Sequence, residues 1–405
     1  MSDNYKFLNA ERILFLVFTI SVFIDAANGT LQKKFDISTP IGILYRGSLF
    51  LVLIRYLFYN KLRDLIFLFI FFLLICLLIW YSFYKANIAK EIESIIRYSY
   101  FFVFFNYFTK LRARLSSEIV YKYIFDYGLL ISLIIIACFI TGTGIKSYGA
   151  GEYGWGEKGL FIATNDIGLT ILCSLICSCL YHHQYSYSLR TFLRVLIIAF
   201  GGILVGSRVC FVFIPLTLLI YILYMSKKSS NKVLFIIGII LLIYLAVFIG
   251  FQIYTLLDDY ALAKFTKEGF ENARSVLIDE AKIHISNFDV LSFFVGEGAC
   301  NLHKVVGNGL GLDGERSVEA DYYEIVGSYG FILGGIIVLF YLKIFLNSIL
   351  LYIKKTCFET FIFMYFTVSF IVIAFFAGHA ATNMMATPIF AYIVSQSYKI
   401  KNSQF

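Results

Sequence analysis

The chain has 405 residues, of which 60% are hydrophobic, 19% aromatic and only 15% charged, and its mean hydropathy is +0.81. Ordinary soluble domains carry about 25% charged residues, so this composition excludes a soluble globular protein and indicates a polytopic membrane protein. The formal net charge of +8 does not indicate nucleic-acid binding, because the basic residues form short clusters between apolar runs.

The long apolar runs predict an all-α membrane protein, because only three prolines interrupt the chain and helices satisfy their own backbone hydrogen bonds in lipid. About twelve spans are predicted, near residues 13–27, 40–59, 65–84, 95–109, 119–141, 160–181, 190–206, 208–225, 233–251, 325–350, 358–377 and 384–397. Basic clusters in alternate connections place both termini in the cytoplasm. Four lysines run against this pattern: Lys33, Lys34, Lys85 and Lys90.

Two connections on the predicted external side are unusual, although residues 1–405 as a whole are expected to form a single transmembrane domain. Residues 142–159, "GTGIKSYGAGEYGWGEKG", are glycine-rich and polar, which is typical of a loop that allows close backbone approach. Residues 252–324 are far longer, and loops beyond about 15 residues are uncommon unless they have a function. We therefore expect this external loop to contain short helices and part of an active site.

Arg208 lies in "GGILVGSRVCFVFIPL", inside apolar sequence, where a charge costs about 2.5–3.5 kcal/mol unless it meets water or a partner. It could snorkel to lipid headgroups. Alternatively, it could clamp an anion at the external surface, because a guanidinium matches phosphate oxygens and stays charged. Arg274 heads a predicted amphipathic helix, "RSVLIDEAKIHI", and either pairs with Glu271 or Asp279 or joins the same anion site.

Four further residues are candidates for binding. Arg316 is flanked by carboxylates, so a salt bridge and a role in anion binding are both open. Arg46 lies near the external end of the second predicted span and could also contact an anion. His303 and His379 lack the spacing of metal ligands, so we expect no metal and hydrogen bonding to substrate or backbone instead.

Carboxylates crowd the start of a predicted span in "GERSVEADYYEIVGSYGFILGG", residues 314–335. In an extended backbone, Glu319 and Asp321 would share a face, whereas in a helix Asp321 would pair with Glu324. Acidic residues in the first turn of a helix stabilise its dipole. The other interpretation is a general base at the mouth of a cavity, with Glu319 or Asp321 as the catalytic group.

These local features, taken in order, resemble the O-antigen polymerase and O-antigen ligase superfamily of bacterial envelope glycosyltransferases. They are "EKGLFIATNDIGL" after the glycine-rich loop, "GSR" at residues 206–208, the Arg274 helix followed by "FFVGEGA", and "EADYYEIVGSYGFILGG". Ligases of the superfamily typically have His followed by Asn where the loop enters the helix. Glu319 and Ala320 stand there instead, which favours a repeat-unit polymerase.

The resemblance implies an inverting, metal-independent glycosyltransferase of the GT-C class that needs no cofactor and acts in the bacterial cytoplasmic (inner) membrane. The donor would be a glycan on undecaprenyl pyrophosphate, and the acceptor the non-reducing end of a lipid-linked repeat unit, in lipopolysaccharide or other polysaccharide biosynthesis. Pyrophosphate would be bound by Arg208, Arg274 and Arg316. Catalysis would involve Arg274, Glu319 and Asp321.

The resemblance also implies partners in the same membrane, namely a chain-length regulator and a flippase. Two other functions remain open. One is an O-antigen ligase, and the other is a lipid-linked oligosaccharide flippase or another transporter. A transporter should place its polar residues along a path at the membrane midplane, whereas here they concentrate in external loops and at the ends of spans.

Overall fold

The computed structural model describes residues 10–37, 39–58, 75–84, 87–111, 115–148, 155–228, 274–309, 316–318, 320–376 and 378–402. The chain divides into two compact units, each assembled from two separate stretches of sequence. The first unit comprises residues 1–45 and 110–262, and the second comprises residues 46–109 and 263–405.

Helices dominate the described residues, and the strands form one short antiparallel hairpin. In chain order the elements are α1 (Ala10–Lys34), α2 (Ile41–Phe58), α3 (Ile75–Tyr84), α4 (Ile88–Leu111), α5 (Ser117–Thr141), β1 (Lys146–Tyr148), β2 (Trp155–Glu157), α6 (Thr164–Gln184), α7 (Leu189–Val205), α8 (Arg208–Lys228), α9 (Arg274–Ser286), α10 (Val290–Val295), α11 (Ala299–Gly309), α12 (Asp321–Lys354), α13 (Phe358–Phe376) and α14 (Thr387–Asn402). A π-helical turn lies within α1 at Leu16–Ile20, and another within α12 at Gly330–Gly334.

The predicted helical membrane protein is confirmed in its coarse form. Six of the described helices are long and apolar enough to cross a membrane, namely α1, α5, α6, α8, α12 and α13, and α3 is a shorter apolar helix. Helices α2, α4, α7 and α14 overlap four more of the predicted spans. The span predicted near residues 233–251 lies outside the described residues. A total of about twelve spans stays a prediction.

Small residues allow close packing of the helices in the first unit. A Cβ atom on Gly128 of α5 would lie 2.5 Å from the Cβ atom of Ser174 on α6. Likewise, a Cβ atom on Gly201 of α7 would lie 2.5 Å from that of Ser132 on α5. Membrane helices associate through such small residues, because lipid tails are as apolar as the helix surfaces and close van der Waals contact drives association. Helices α5, α6 and α7 therefore form the centre of this unit.

In the second unit, the long loop docks on the backbone of α12. Gly296 has φ +71° and Gly330 has φ +68°, and a Cβ atom on either residue would lie 2.5 Å from the backbone nitrogen of the other. The Gly298 N–H donates to the Ser328 carbonyl at 2.9 Å. Only glycine tolerates both this conformation and this separation. Two of the sequence motifs, "FFVGEGA" and "GSYGFILGG", therefore meet backbone to backbone where α12 makes its π-helical turn.

Helices α3 and α4 hold the same loop segment. The buried Trp80 Nε1 donates to the carbonyls of Val295 at 3.2 Å and Gly296 at 3.1 Å. The Tyr84 hydroxyl lies 2.6 Å from Ser292 Oγ. A buried tryptophan adds apolar contact but must place its N–H on an acceptor, and here the loop backbone supplies one. The described part of the long loop is thus fixed to the helices of its own unit.

Candidate functional site

A tight turn presents Arg208 at the beginning of a membrane-length helix in the first unit. Helix α7 ends at Gly206, which has φ +72° and donates its N–H to the Ile203 carbonyl at 3.0 Å. Ser207 Oγ then accepts the Cys210 N–H at 3.2 Å, as an N-cap does, and α8 begins at Arg208. The half-buried guanidinium and the positive end of the α8 dipole therefore lie at the same place.

The glycine-rich loop lies against this turn. Its strands pair Lys146 with Glu157 and Tyr148 with Trp155. A Cβ atom on Gly156, which has φ +70°, would lie 2.5 Å from the Val205 carbonyl oxygen. The structure thus brings together two motifs that the sequence separates, "EKGLFIATNDIGL" and "GSR".

Helix α6 contacts the turn from another side. A Cβ atom on Gly168 would lie 2.5 Å from Ser207 Oγ, and Thr164 Oγ1 donates to the Ser147 carbonyl at 3.2 Å. Because α6 begins at Thr164, the positive ends of α6 and α8 both lie beside the glycine-rich loop. Two helix N-termini and an arginine at one end of the unit form a surface suited to an anion.

Charged side chains next to the turn are partly desolvated. Lys158 is buried and donates to the Ile162 carbonyl at 2.8 Å, and burial together with the nearby Lys33 lowers its pKa. Burial raises the pKa of Glu157, although the Gly159 N–H and Lys146, 3.6 Å away, act in the opposite direction. This end of the unit therefore concentrates cations around one buried carboxylate.

The second unit contains buried carboxylates at the start of α12. Ala320 is extended and α12 begins at Asp321, so Asp321 and Glu324 share the first turn of the helix. Asp321 is 4% exposed, and its carboxylate accepts the backbone N–H groups of Ala381, at 2.8 Å, and His379. His379 has φ +60°, which is unusual for a residue other than glycine. Asp321 therefore holds the turn between α13 and α14.

Glu324 bridges the long loop and α12. Its Oε1 lies within hydrogen-bond distance of His303 Nε2 on α11, and its Oε2 accepts the Val318 N–H at 3.0 Å. Glu324 is 9% exposed, whereas the His303 side chain is 24% exposed. Hydrogen bonds to both oxygens favour an ionised carboxylate beside the imidazole.

Glu91 on α4 is a buried carboxylate that the sequence did not single out. It is 1% exposed, and its oxygens accept the N–H groups of Ala299 at 3.0 Å and Cys300 at 2.7 Å, so it caps the N-terminus of α11. A helix N-terminus leaves such N–H groups without partners in the helix, and a carboxylate is a strong acceptor for them. The available signal was an acidic residue near the start of an apolar helix.

Replacing Glu91 with glutamine should destabilise the second unit by about 1–3 kcal/mol, because the amide NH2 cannot accept the second backbone N–H. Glu93→Gln is the matched control, since Glu93 is partly exposed and pairs with Arg97 one turn along the same helix, so the change should alter stability by less than about 1 kcal/mol. Chemical unfolding in detergent measures the free energy of unfolding of both variants. Equal stability of the two variants would show that the cap has no energetic role.

Glu297 organises the loop itself. Its carboxylate contacts His284 Nε2 at 3.0 Å, accepts the Ser292 hydroxyl at 3.0 Å and accepts the Asn301 amide. Burial raises the pKa of Glu297, but the contacts with His284, Ser292 and Asn301 outweigh burial, so the pKa lies below its ordinary value. The loop helices α9, α10 and α11 are therefore joined by one ionised side chain.

The Glu297 contacts should make the loop sensitive to acid. Because the folded-state pKa lies below the ordinary value of 4.5, these contacts stabilise the loop above pH 4.5, and the stabilisation is lost as the pH falls through the folded-state pKa. Proteolysis within residues 274–309 should accelerate below pH 4.5 in the wild type. Glu297→Gln should weaken this pH dependence, and Asp279→Asn, at an exposed position, should not. An unchanged dependence in Glu297→Gln would contradict the assignment.

The remaining predicted residues are placed as follows. Helix α9 begins at Arg274, whose side chain is outside the described part of the structure, and Glu319 is also outside it. Arg316 is exposed and its N–H donates to the His303 carbonyl at 2.9 Å. Arg46 is half-buried in α2. The structure thus brings Asp321, His303 and His379 to the start of α12, with Glu324 added.

The class of protein is defined by membrane-length helices with buried, paired charges at their ends. Within the described ranges, no three His, Cys, Asp or Glu side chains are arranged to hold a metal ion. No protein-family model, curated protein or solved structure matches the chain.

Proposed function

We propose that the protein is a membrane glycosyltransferase that polymerises polysaccharide repeat units, with the properties of an O-antigen polymerase. It transfers a glycan from undecaprenyl pyrophosphate to the non-reducing end of a lipid-linked repeat unit, at the outer face of the bacterial inner membrane. The reaction inverts the anomeric carbon and is independent of metal. A flippase that delivers repeat units and a chain-length regulator are the proposed partners.

One observation carries this proposal, namely the position of Arg208. A permanent cation begins a membrane-length helix, beside a second helix N-terminus and under the glycine-rich loop. A lipid pyrophosphate is a dianion fixed at a membrane surface, so it suits a cation held at the end of a span. The order of the sequence motifs supports the same assignment.

The chemistry sets two requirements, and the first is stabilisation of the leaving group. When the bond between the anomeric carbon and the phosphate oxygen breaks, negative charge develops on the pyrophosphate. Donors fixed in advance around that charge contribute more in a desolvated site than in water. Arg208 and the positive end of α8 supply this term in the first unit. Arg274 and Arg316 are proposed as further pyrophosphate ligands, and Arg46 as a substrate contact.

The second requirement is removal of the acceptor's hydroxyl proton. A general base must come within about 2.6–3.2 Å of that hydroxyl. The candidates are at the start of α12, where Asp321, His379 and the pair of His303 and Glu324 lie and where Glu319 precedes the helix. The sequence-based assignment of the base to Glu319 or Asp321 remains a proposal.

The direct test uses purified protein in lipid nanodiscs with lipid-linked repeat units as the sole substrate. Ladders of lengthening glycan should form, and a chelator should not prevent them. Transfer of glycan to a different acceptor lipid would identify a ligase instead. Movement of lipid-linked oligosaccharide across sealed vesicles without any elongation would identify a transporter and refute the proposed polymerase.

A further inference from the structure

We infer that His303, oriented by Glu324, is the general base of this transfer, an inference that rests on the proposed function. The imidazole takes the proton of the acceptor hydroxyl while that oxygen forms a bond to the anomeric carbon of the donor. The bond from that carbon to the phosphate oxygen breaks, and the lipid pyrophosphate leaves with the electron pair. The reaction balances without another reagent.

Asp321 is poorly placed for this role. Its carboxylate is buried and accepts backbone N–H groups from Ala381 and His379, so it is directed at a turn of its own chain. A base has to reach the acceptor hydroxyl at hydrogen-bond distance. If Asp321 turned outward, the buried N–H of Ala381 would lose its partner, which is costly. Asp321 therefore fixes the turn that carries His379 and is a positioning residue.

Glu324 is engaged in the same way, but it contacts a side chain that can carry a proton. One oxygen contacts His303 Nε2 and the other accepts the Val318 N–H at 3.0 Å. A carboxylate that contacts one ring nitrogen fixes the orientation of the imidazole and stabilises the imidazolium that forms when it is protonated. His303 is the more exposed member of the pair, so it is the side chain that the hydroxyl of the acceptor glycan can reach.

The surroundings of the pair favour uptake of a proton. Within the described ranges, the titratable groups that interact electrostatically with Glu324 are Tyr98, Tyr329, Asp321 and His379, which come from α4, α12 and the turn after α13. Arg316, whose N–H donates to the His303 carbonyl, is exposed. When they are ionised, the two carboxylates, Glu324 and Asp321, give this cluster negative charge. A proton on His303 reduces that charge, so the cluster stabilises the product of proton transfer.

The loop offers a matched control in a second histidine–carboxylate pair. His284 Nε2 contacts Glu297 at 3.0 Å, and both residues belong to the loop segment 274–309. This pair has the same chemistry as His303 and Glu324, but its carboxylate, Glu297, also accepts hydrogen bonds from Ser292 and Asn301 within the loop. A His284→Gln change therefore reports what losing a purely structural pair does.

The experiment measures the elongation rate against pH in nanodiscs for the wild type and four variants. His303→Gln should lower the rate about 100- to 10,000-fold. Glu324→Gln should lower it less and move the acid limb of the profile down by about 1 pH unit, because the imidazole loses the neighbouring negative charge. His284→Gln should keep the wild-type acid limb. Added imidazole should restore part of the rate to His303→Ala.

The results that would overturn the inference are distinct. If the wild type elongates glycan but His303→Gln keeps more than a tenth of its rate, the inference fails and the proposed function stands. If the wild type does not elongate glycan, both fail. Thermal unfolding identifies any variant that does not fold. Should His303→Gln not fold, an unmoved acid limb in Glu324→Gln overturns the inference, and a shifted limb supports it.

Discussion

Replacing Arg208 with alanine should lower the rate of glycan elongation about 100- to 1,000-fold, because the developing charge on the pyrophosphate loses its fixed cation. The fold should survive, since the N-cap contact from Ser207 Oγ to the Cys210 N–H does not involve the arginine side chain. Arg208→Lys should recover only part of the rate, because a lysine lacks the planar fork that binds two phosphate oxygens. The elongation rate of the wild type and of both variants is measured from the length distribution of the glycan product.

The matched control for this prediction is Arg190→Ala. Arg190 is exposed at the beginning of α7, whereas Arg208 lies just beyond the end of the same helix. The two ends of α7 are roughly 22 Å apart along the helix axis. Elongation should be unchanged in Arg190→Ala, because the variant removes an equal charge from the other end of α7. A wild-type rate in Arg208→Ala would leave this arginine with only a structural role.

The other large effect is expected at the contact between the loop and α12. Gly330→Ala places a side chain on a residue with φ +68° and ψ −175°, a conformation that essentially only glycine adopts, which costs about 1–3 kcal/mol. Its Cβ atom would also lie 2.5 Å from the Gly296 nitrogen, and displacing the loop costs about another 1–3 kcal/mol. We expect the midpoint of thermal unfolding to fall and proteases to cut residues 274–309 faster. Gly296→Ala, the reciprocal change, should give the same result.

Gly335→Ala provides the comparison. Gly335 lies five residues further along α12, has an ordinary helical conformation, and no atom lies within 4 Å of the position of a Cβ atom there. This variant should be neutral or more stable by up to about 1 kcal/mol, because alanine favours helices. Equal sensitivity at both glycines would mean that the loop does not depend on close backbone contact.

Hydrophobicity was sufficient to predict the helices, because an apolar run in lipid has few alternatives to a helix. The beginning of α8 at Arg208 agrees with the break that the sequence indicates between two predicted spans. The π-helical turn in α12 was not predicted, and neither was its contact with Gly296. Both depend on a segment from elsewhere in the chain, and local periodicity carries no information about that segment.

The site was predictable in its residue types but not in its pairings. Arg208 was recognisable as a charge in apolar sequence, where it is energetically costly, and Asp321 as a carboxylate at the start of a predicted span. The partners of Asp321 are backbone groups, such as the Ala381 N–H, and any residue type can supply those. Glu91 was missed for the same reason, since its partners are the amides of Ala299 and Cys300 rather than a motif.

The cap on α11 also sets an order of events during synthesis. Glu91 and Cys300 are separated by 209 residues in the chain, and at ordinary translation rates the acceptor is made roughly 10–40 s before its donor. The interval is similar for Trp80, because its acceptor, the Gly296 carbonyl, is made 216 residues later. Helices α3 and α4 are therefore made with polar groups whose partners follow only 209 and 216 residues later. The second unit can close only after that segment has been made.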